Sequence, residues 1–219
     1  MTPIAVWYHA RLSGPGIDPN HALRIMAEQV DALNTSGLAE ACHELIVGCS
    51  AEDEPMVRRA VPNKSIIVRL ADGSRSELPT LAHLRAWLPG NPQALVFYHH
   101  PKCATRYDEL CHTWRRCMTR HLVHGWRQCY TYLETTCESV GTHWLTPEEH
   151  PGLVKSPFWG GNFWWTRASF LLELPALPET AKSREDFYLA ESWIGMGPRR
   201  PRVHDFHHQW PNLIGCARS

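Results

Sequence analysis

Ala94-Leu95-Val96-Phe97-Tyr98-His99-His100-Pro101-Lys102 is the stretch that decides the fold. A short, unbroken apolar run closed by a proline reads as a strand buried on both faces. Three runs of the same kind come before it, over 4–8, 44–49 and 65–70. The segments between them carry helical spacing. Residues 19–35 place Ala22, Leu23, Ile25, Met26, Val30 and Leu33 along one face, and Ser36-Gly37 ends the run. Residues 52–61 read as a helix stopped by Pro62, and 79–88 as a helix stopped by Pro89-Gly90, with Asp72-Gly73 as a turn between strand and helix. Strands alternating with helices predict an α/β fold with a mostly parallel sheet flanked by helices. Ligands of such sheets sit at the carboxyl ends of the strands, beside a topological switch point. Two strand ends carry suggestive chemistry there. The first runs into Tyr8-His9-Ala10-Arg11, the fourth into His99-His100-Pro101-Lys102.

The chain after Lys102 continues the pattern. Residues 106–135 keep apolar side chains at three- and four-residue intervals and predict a single long helix over the sheet. Residues 139–145 read as a fifth strand and 146–157 as a loop. The run Phe158-Trp159-Gly160-Gly161-Asn162-Phe163-Trp164-Trp165-Thr166-Arg167-Ala168-Ser169 then reads as a glycine turn, an aromatic strand and a helix. On that strand Phe163 and Trp165 alternate with Trp164, so one set can be buried while the other faces a ligand. Ser183, with Asp186 three residues on, predicts a capped helix to about 194, and 202–208 a last strand.

Composition narrows the partners. Lys plus Arg equals Asp plus Glu at 22 each, so no bulk charge draws the chain to nucleic acid or an anionic membrane. Local basic groups remain at Arg115, Arg116 and Arg120 and at Arg199, Arg200 and Arg202. None of the eight cysteines forms a C-x-x-C pair, which excludes a zinc ribbon. They are expected to be free thiols packed as small hydrophobes. No basic leader opens the chain, and no apolar run reaches the roughly 18–20 residues of a membrane span. A cytoplasmic protein without a transmembrane segment is the expectation.

Three blocks carry a resemblance to nucleotide-sugar-dependent glycosyltransferases of the GT-A type, known from bacteria and viruses. The first is Tyr98-His99-His100-Pro101-Lys102, where the family's following glycine is Cys103. The second is Gly161-Asn162-Phe163-Trp164-Trp165 with Arg167-Ala168. The third runs from Arg184-Glu185 to Ala190-Glu191-Ser192-Trp193-Ile194. The resemblance implies a single GT-A-like (Rossmann-like) domain over 1–219, with a nucleotide-binding half at 1–100 and an acceptor and catalytic half at 101–219. It implies a nucleoside diphosphate sugar as donor, such as a uridine diphosphate sugar. The acceptor would be a hydroxyl on a glycan or lipid-linked saccharide, or on a hydroxymethylated base of modified phage DNA.

Such a reaction must neutralise a leaving diphosphate and, if it inverts the anomeric carbon, needs a base for the acceptor hydroxyl. The donor-binding candidates are Tyr8, His9, Arg11, His99, His100 and Lys102, with Lys102 on the diphosphate. Glu191 is the candidate base and Asp186 the second, although Asp186 serves equally as a helix cap. Gly160, Gly161, Asn162 and Trp164 are the sugar-contact candidates, Asn162 foremost. The Asp-x-Asp pair common in GT-A enzymes is absent, so dependence on manganese or magnesium stays open. Asp53, between two glutamates, reads as a helix-dipole partner. His204 and His207, in the cluster around Asp205, are the metal-ligand candidates. Two other readings remain: a non-catalytic carbohydrate-binding module using tryptophan platforms, and a degenerate transferase.

Overall fold

A computed structural model describes residues 1–70, 76–178, 180 and 183–206. The turn expected at Asp72-Gly73 and the ligand candidate His207 lie outside the described residues. A seven-stranded sheet forms the centre. Its strands are β1 (Ile4–Ala10), β2 (Glu44–Cys49), β3 (Ile66–Arg69), β4 (Leu95–His99), β5 (Ser139–Gly141), β8 (Trp164–Arg167) and β9 (Val203–Asp205). The order is β3-β2-β1-β4-β8-β5-β9, and only β8 runs against its neighbours. A two-stranded ribbon of β6 (Trp144–Leu145) and β7 (Phe158–Trp159) lies beside it. The helices are α1 (Pro19–Thr35), α2 (Leu38–Ala41), α3 (Glu54–Ala60), α4 (Leu78–Trp87), α5 (Glu109–Thr119), α6 (Trp126–Thr135), α7 (Ala168–Leu171) and α8 (Arg184–Ser192). This is the expected α/β, GT-A-like arrangement of a mostly parallel sheet between helices.

Strand periodicity sorts the side chains onto two cores. On one face Ile4, Val6, Leu95, Phe97 and Trp165 meet Met118 and Leu122 after α5 begins, and Cys129 and Leu133 of α6. On the other, Ala5, Trp7, Val96, Tyr98 and Trp164 meet Leu78, Leu81 and Leu84 of α4 and Ala190 of α8. Both faces are covered, so all seven residues of β1 are buried. The order also places the switch point between β1 and β4, because successive strands run outward from β1 through β2 to β3 and then jump back to β4.

The local signals that start helices hold. Asp18 caps α1 by accepting from the Asn20 amide, with Pro19 in the first turn. Ser183 and Asp186 form a reciprocal capping box on α8.

Four expectations are corrected. The long helix over 106–135 is two helices joined by a π-turn at Arg120–His124. The Gly125 amide donates to the Arg120 carbonyl at 3.1 Å, and a Cβ at Gly125 would run into the His121 carbonyl. Only glycine admits that close approach, so the bulge forms there. The strand over 139–145 splits into β5 and β6 at His143, whose φ is +62°. Asp205 accepts from the His143 and Trp144 amides, both at 2.8 Å, and holds the bend. The aromatic strand has no ligand-facing set: Phe163, Trp164 and Trp165 are all buried, because β8 is an interior strand covered on both faces. Finally, Cys103 and Cys111 form a disulfide and are not free thiols. The turn after Lys102, with Cys103 at φ +74°, brings the two cysteines together at the start of α5.

Candidate functional site

A cavity of about 1090 Å³ opens at the carboxyl ends of β1 and β4, at the switch point. Alternation along the strands decides which residues reach it. His9 and His100 project from the α4 side of the sheet and line the cavity; Tyr8 and His99 project to the other side and do not. Tyr8 donates to Gln29 Oε1 of α1 at 2.6 Å. The His99 ring is fully buried, stacked on Phe97 at 4.7 Å with Tyr8 edge-on at 4.4 Å. Burial holds its pKa well below the ordinary histidine value.

The cavity floor is built around Glu77, just before α4. Its Oε2 accepts from the Tyr98 hydroxyl at 2.6 Å and from Asn162 Nδ2 at 2.7 Å. Its Oε1 faces His100 Nδ1 at 3.8 Å. His100 Nε2 lies 2.9 Å from the Gly161 carbonyl, which can only accept, so Nε2 carries the hydrogen and Nδ1 of the neutral ring is a bare lone pair. Burial pushes the His100 pKa down to about 4, with Lys102 adding to the effect. Burial likewise pushes His9 down to about 4, against the pull of Glu77. Burial raises Glu77 above the usual carboxylate value, although His9, Lys102 and the two hydrogen bonds oppose it. A proton on Glu77 Oε1 removes the facing of two lone pairs, and burial favours that form. The floor thus sets a buried acid whose pKa burial raises beside two imidazoles whose pKa values burial lowers.

Positive charge enters from the rim. Arg11 follows β1, and Lys102 follows β4 with its ammonium 4.4 Å from the Trp114 ring centre. Arg106 and Lys155 also line the cavity. Glu191 of α8 brings a second carboxylate to the wall, near enough to His100 to raise its proton affinity. Gly160 and Gly161 form the back of the cavity. Gly161 has φ +87°, and a Cβ there would lie 2.8 Å from Met118 Sδ, so the turn that presents its carbonyl to His100 needs glycine.

The remaining candidates lie elsewhere. Asn162 is fully buried behind Gly161, with φ +55°, and its Oδ1 accepts from Trp164 Nε1 at 2.8 Å. Trp164 stacks on Tyr98 at 5.0 Å inside the core. Neither lines the cavity. Asp186 is the capping-box residue of α8 and is not among the lining residues. His204 stacks on Tyr132 at 3.7 Å, on the α6 side of the sheet edge. Among the described residues no group of three or more His, Cys, Asp and Glu side chains is placed to hold a metal ion. Among the described residues no helix is long and apolar enough to cross a membrane.

Glu77, Arg106, Trp114 and Lys155 also line the cavity, and no sequence motif marks them. Glu77 stands outside any recognisable spacing, and it enters the floor because α4 packs across β1 and β2 and its start meets Tyr98 and Asn162. A glutamate directly before the Leu78-Pro79 helix start was the one available signal.

Among solved structures the chain is similar in fold to 4-diphosphocytidyl-2C-methyl-D-erythritol synthase from Anaerococcus prevotii, at 15% identity over 99% of this chain and 96% of that one, with a TM-score of 0.47. It is similar to CMP:2-keto-3-deoxy-manno-octonic acid synthetase complexed with CTP, at 10% identity over 96% and 92%, TM-score 0.49. It is also similar to mannose-6-phosphate isomerase from Helicobacter pylori, at 12% identity over 95% and 98%, TM-score 0.49. At these identities and scores the likenesses say nothing of what the chain does. No curated protein matches it. A family model does match, over residues 8–218, and by that match the chain belongs to DUF8361, described as a domain of unknown function.

Proposed function

We propose that the chain transfers a sugar from a nucleoside diphosphate sugar, a uridine diphosphate sugar first among them, to a hydroxyl acceptor. The observation that carries this reading is the composition of one cavity at the switch point. Arg11 and Lys102 extend from the two strand ends, Arg106 and Lys155 add to the rim, Glu77 lies on the floor and the Glu191 carboxylate stands on the α8 wall. About 1090 Å³ is at the top of the range of ligand pockets and gives room for a donor and part of an acceptor together.

In an inverting transfer the Glu191 carboxylate takes the proton of the acceptor hydroxyl as its oxygen bonds the anomeric carbon. The bond from that carbon to the diphosphate oxygen breaks, and its electron pair leaves on the diphosphate. Lys102 and Arg11 stabilise the charge that develops there. Glu77 and His100 act behind them: they fix the Gly161 carbonyl and the Lys102 turn, and exclude water from the floor. His9 Nδ1 is held 2.8 Å from Thr80 Oγ1, which sets its ring beside the phosphate path.

A saccharide acceptor is favoured over duplex DNA by the fate of the arginines. Arg115 is buried and pairs with Glu28 at 2.9 Å, and Arg116 pairs with Glu109. Arg199 pairs with Glu138 at 2.7 Å and Glu173 at 2.8 Å, and Arg200 with Glu148. Side chains already engaged by carboxylates make poor phosphate contacts.

The test is a thermal-shift panel of uridine, cytidine, guanosine and thymidine diphosphates, with and without manganese or magnesium. A rise in Tm with at least one nucleotide, lost in Lys102→Met, is the expected result. No shift with any of them would overturn the reading.

A further inference from the structure

The walls of the cavity are chemically divided. The wall made by the ends of β1 and β4 and by the turn after β4 carries Arg11, Lys102 and Arg106, with His9, His100 and Glu77 on the floor. The facing wall, built from the 145–158 segment and one side of α8 with its exit, carries Leu145, Leu153, Phe158, Tyr188, Leu189 and Met196. Three of these are left in water at the mouth: Tyr188 is 51% exposed, Leu153 45% and Met196 38%. Scattered single apolar residues on a surface need no explanation, but a contiguous set around one cavity does.

We propose that this wall is an acceptor subsite for a hydroxyl compound carrying an alkyl or aryl group, so that the acceptor is amphipathic and not a free polyhydroxylated glycan. The role of acceptor rests on the transferase reading; the apolar subsite does not. The two walls fit two different substrates. A nucleoside diphosphate needs cations, and the β1–β4 wall has them. A free glycan needs hydrogen-bonding side chains around its hydroxyls. On the facing wall the hydrogen-bonding groups are few: Ser156 donates to the Gly195 carbonyl at 3.3 Å, and Ser192 to the Tyr188 carbonyl at 2.7 Å. Their hydroxyl hydrogens are already directed into the backbone. Besides Lys155 and Glu191, what is left on this wall is side-chain hydrocarbon and the Tyr188 and Phe158 rings. Tyr188 stands one turn before Glu191 on α8, so an acceptor lying on this wall brings its hydroxyl to the carboxylate that would take the proton.

The experiment compares octyl β-D-glucoside, below its critical micelle concentration, with methyl β-D-glucoside. Binding is read by saturation-transfer NMR and by quenching of tryptophan fluorescence. Each methylene fully buried strengthens binding roughly fourfold, so three methylenes on the wall predict a gain of about 50-fold for the octyl compound. Tyr188→Ser and Met196→Ser, both at exposed positions that the fold does not need, are expected to remove most of that gain and to leave the methyl compound unchanged. Equal binding of the two glucosides overturns the proposal, and so does an octyl preference that survives both substitutions. The nucleotide panel separates the two readings. An octyl preference that depends on Tyr188, with no nucleotide shift, keeps the apolar subsite and ends the transferase reading. A nucleotide shift with no octyl preference does the reverse.

Discussion

Asn162 Nδ2 donates to Glu77 Oε2 across 2.7 Å, joining the glycine turn before β8 to the start of α4. The same amide accepts from Trp164 Nε1 at 2.8 Å. Asn162 is fully buried, so both partners lose water to make these bonds. Asn162→Ala strands an indole N–H and half the support of a buried carboxyl, at a cost of about 2–4 kcal/mol. A urea midpoint lowered to match is expected. Asn162 is a sugar-contact candidate by sequence, and its burial makes stability the quantity to measure first. An unchanged midpoint would show that these contacts do not hold the fold.

Glu77 accepts from Tyr98 and Asn162, and a same-shape neutral substitute tests whether its hydrogen bonds or its charge matter more. In Glu77→Gln the amide oxygen accepts from Tyr98 and Asn162 while the NH₂ group faces the bare Nδ1 of His100. Thermal stability should fall by no more than about 1 kcal/mol. Glu77→Ala leaves the Tyr98 hydroxyl and the Asn162 amide unpaired and should cost several times as much. If Gln costs as much as Ala, the group is an ionised carboxylate held by its charge.

Stability should fall as pH drops from about 6.5 to about 4, in part through His9 and His100. Both are pushed down to about 4 by burial. Within that window the unfolded chain binds protons that the folded chain refuses, so each histidine withdraws up to about 3 kcal/mol on acidification. Glu77 acts in the other direction. Its pKa is raised, so the folded chain takes that proton before the unfolded chain does, and stability gains as pH falls through that interval. His9→Asn isolates one of these contributions. Its urea midpoint should depend less on pH between 6.5 and 4.5 than that of the parent. Equal slopes would mean that His9 titrates at its ordinary value.

What could be read from the sequence follows from what each signal depends on. Periodicity and capping are local, and they located α1 at Pro19–Thr35 and the Ser183–Asp186 cap of α8. The strand ends His9 and His100 were legible because strand end and cavity coincide in a parallel sheet. Tyr8 and His99 occupy the same strand ends, although one-residue alternation sends these two to the opposite face. That face is set by which helices pack where, which no single strand encodes. Trp164 and the Gly125 bulge show the same limit: an aromatic alternation does not say whether one or both faces will be covered, and a helical repeat does not show an inserted residue. Glu77 and the Cys103–Cys111 bond depend on tertiary approach alone.

The Cys103–Cys111 bond closes a short loop that carries Arg106 on the cavity wall and begins just after Lys102. Closing a loop with a sequence separation of 8 removes chain entropy worth about 2.5 kcal/mol from the unfolded state. For a chain of this length that is a Tm change of roughly 5–10 °C. Treatment with dithiothreitol should lower the Tm by that amount in the parent and by nothing further in Cys103→Ser. Mass spectrometry after alkylation without reductant should leave these two thiols unlabelled. Labelling of both, with no effect of reductant, would show that the bond does not form in solution.

Glu191 and Lys102 should separate chemistry from donor binding. Glu191 stands on α8, opposite the cationic strand ends, and makes none of the buried contacts that fix Glu77. Glu191→Gln preserves its shape and removes its capacity to take a proton. Turnover should fall by at least about 100-fold, the usual worth of a general base, while the nucleotide thermal shift is kept. Lys102→Met keeps the stem against Trp114 and removes the charge over its ring, so the fold should survive while the nucleotide shift is lost. The two outcomes must diverge for the assignment to stand. If Glu191→Gln lowers nucleotide affinity as much as Lys102→Met does, Glu191 belongs to the donor site and the base must be sought elsewhere on the wall.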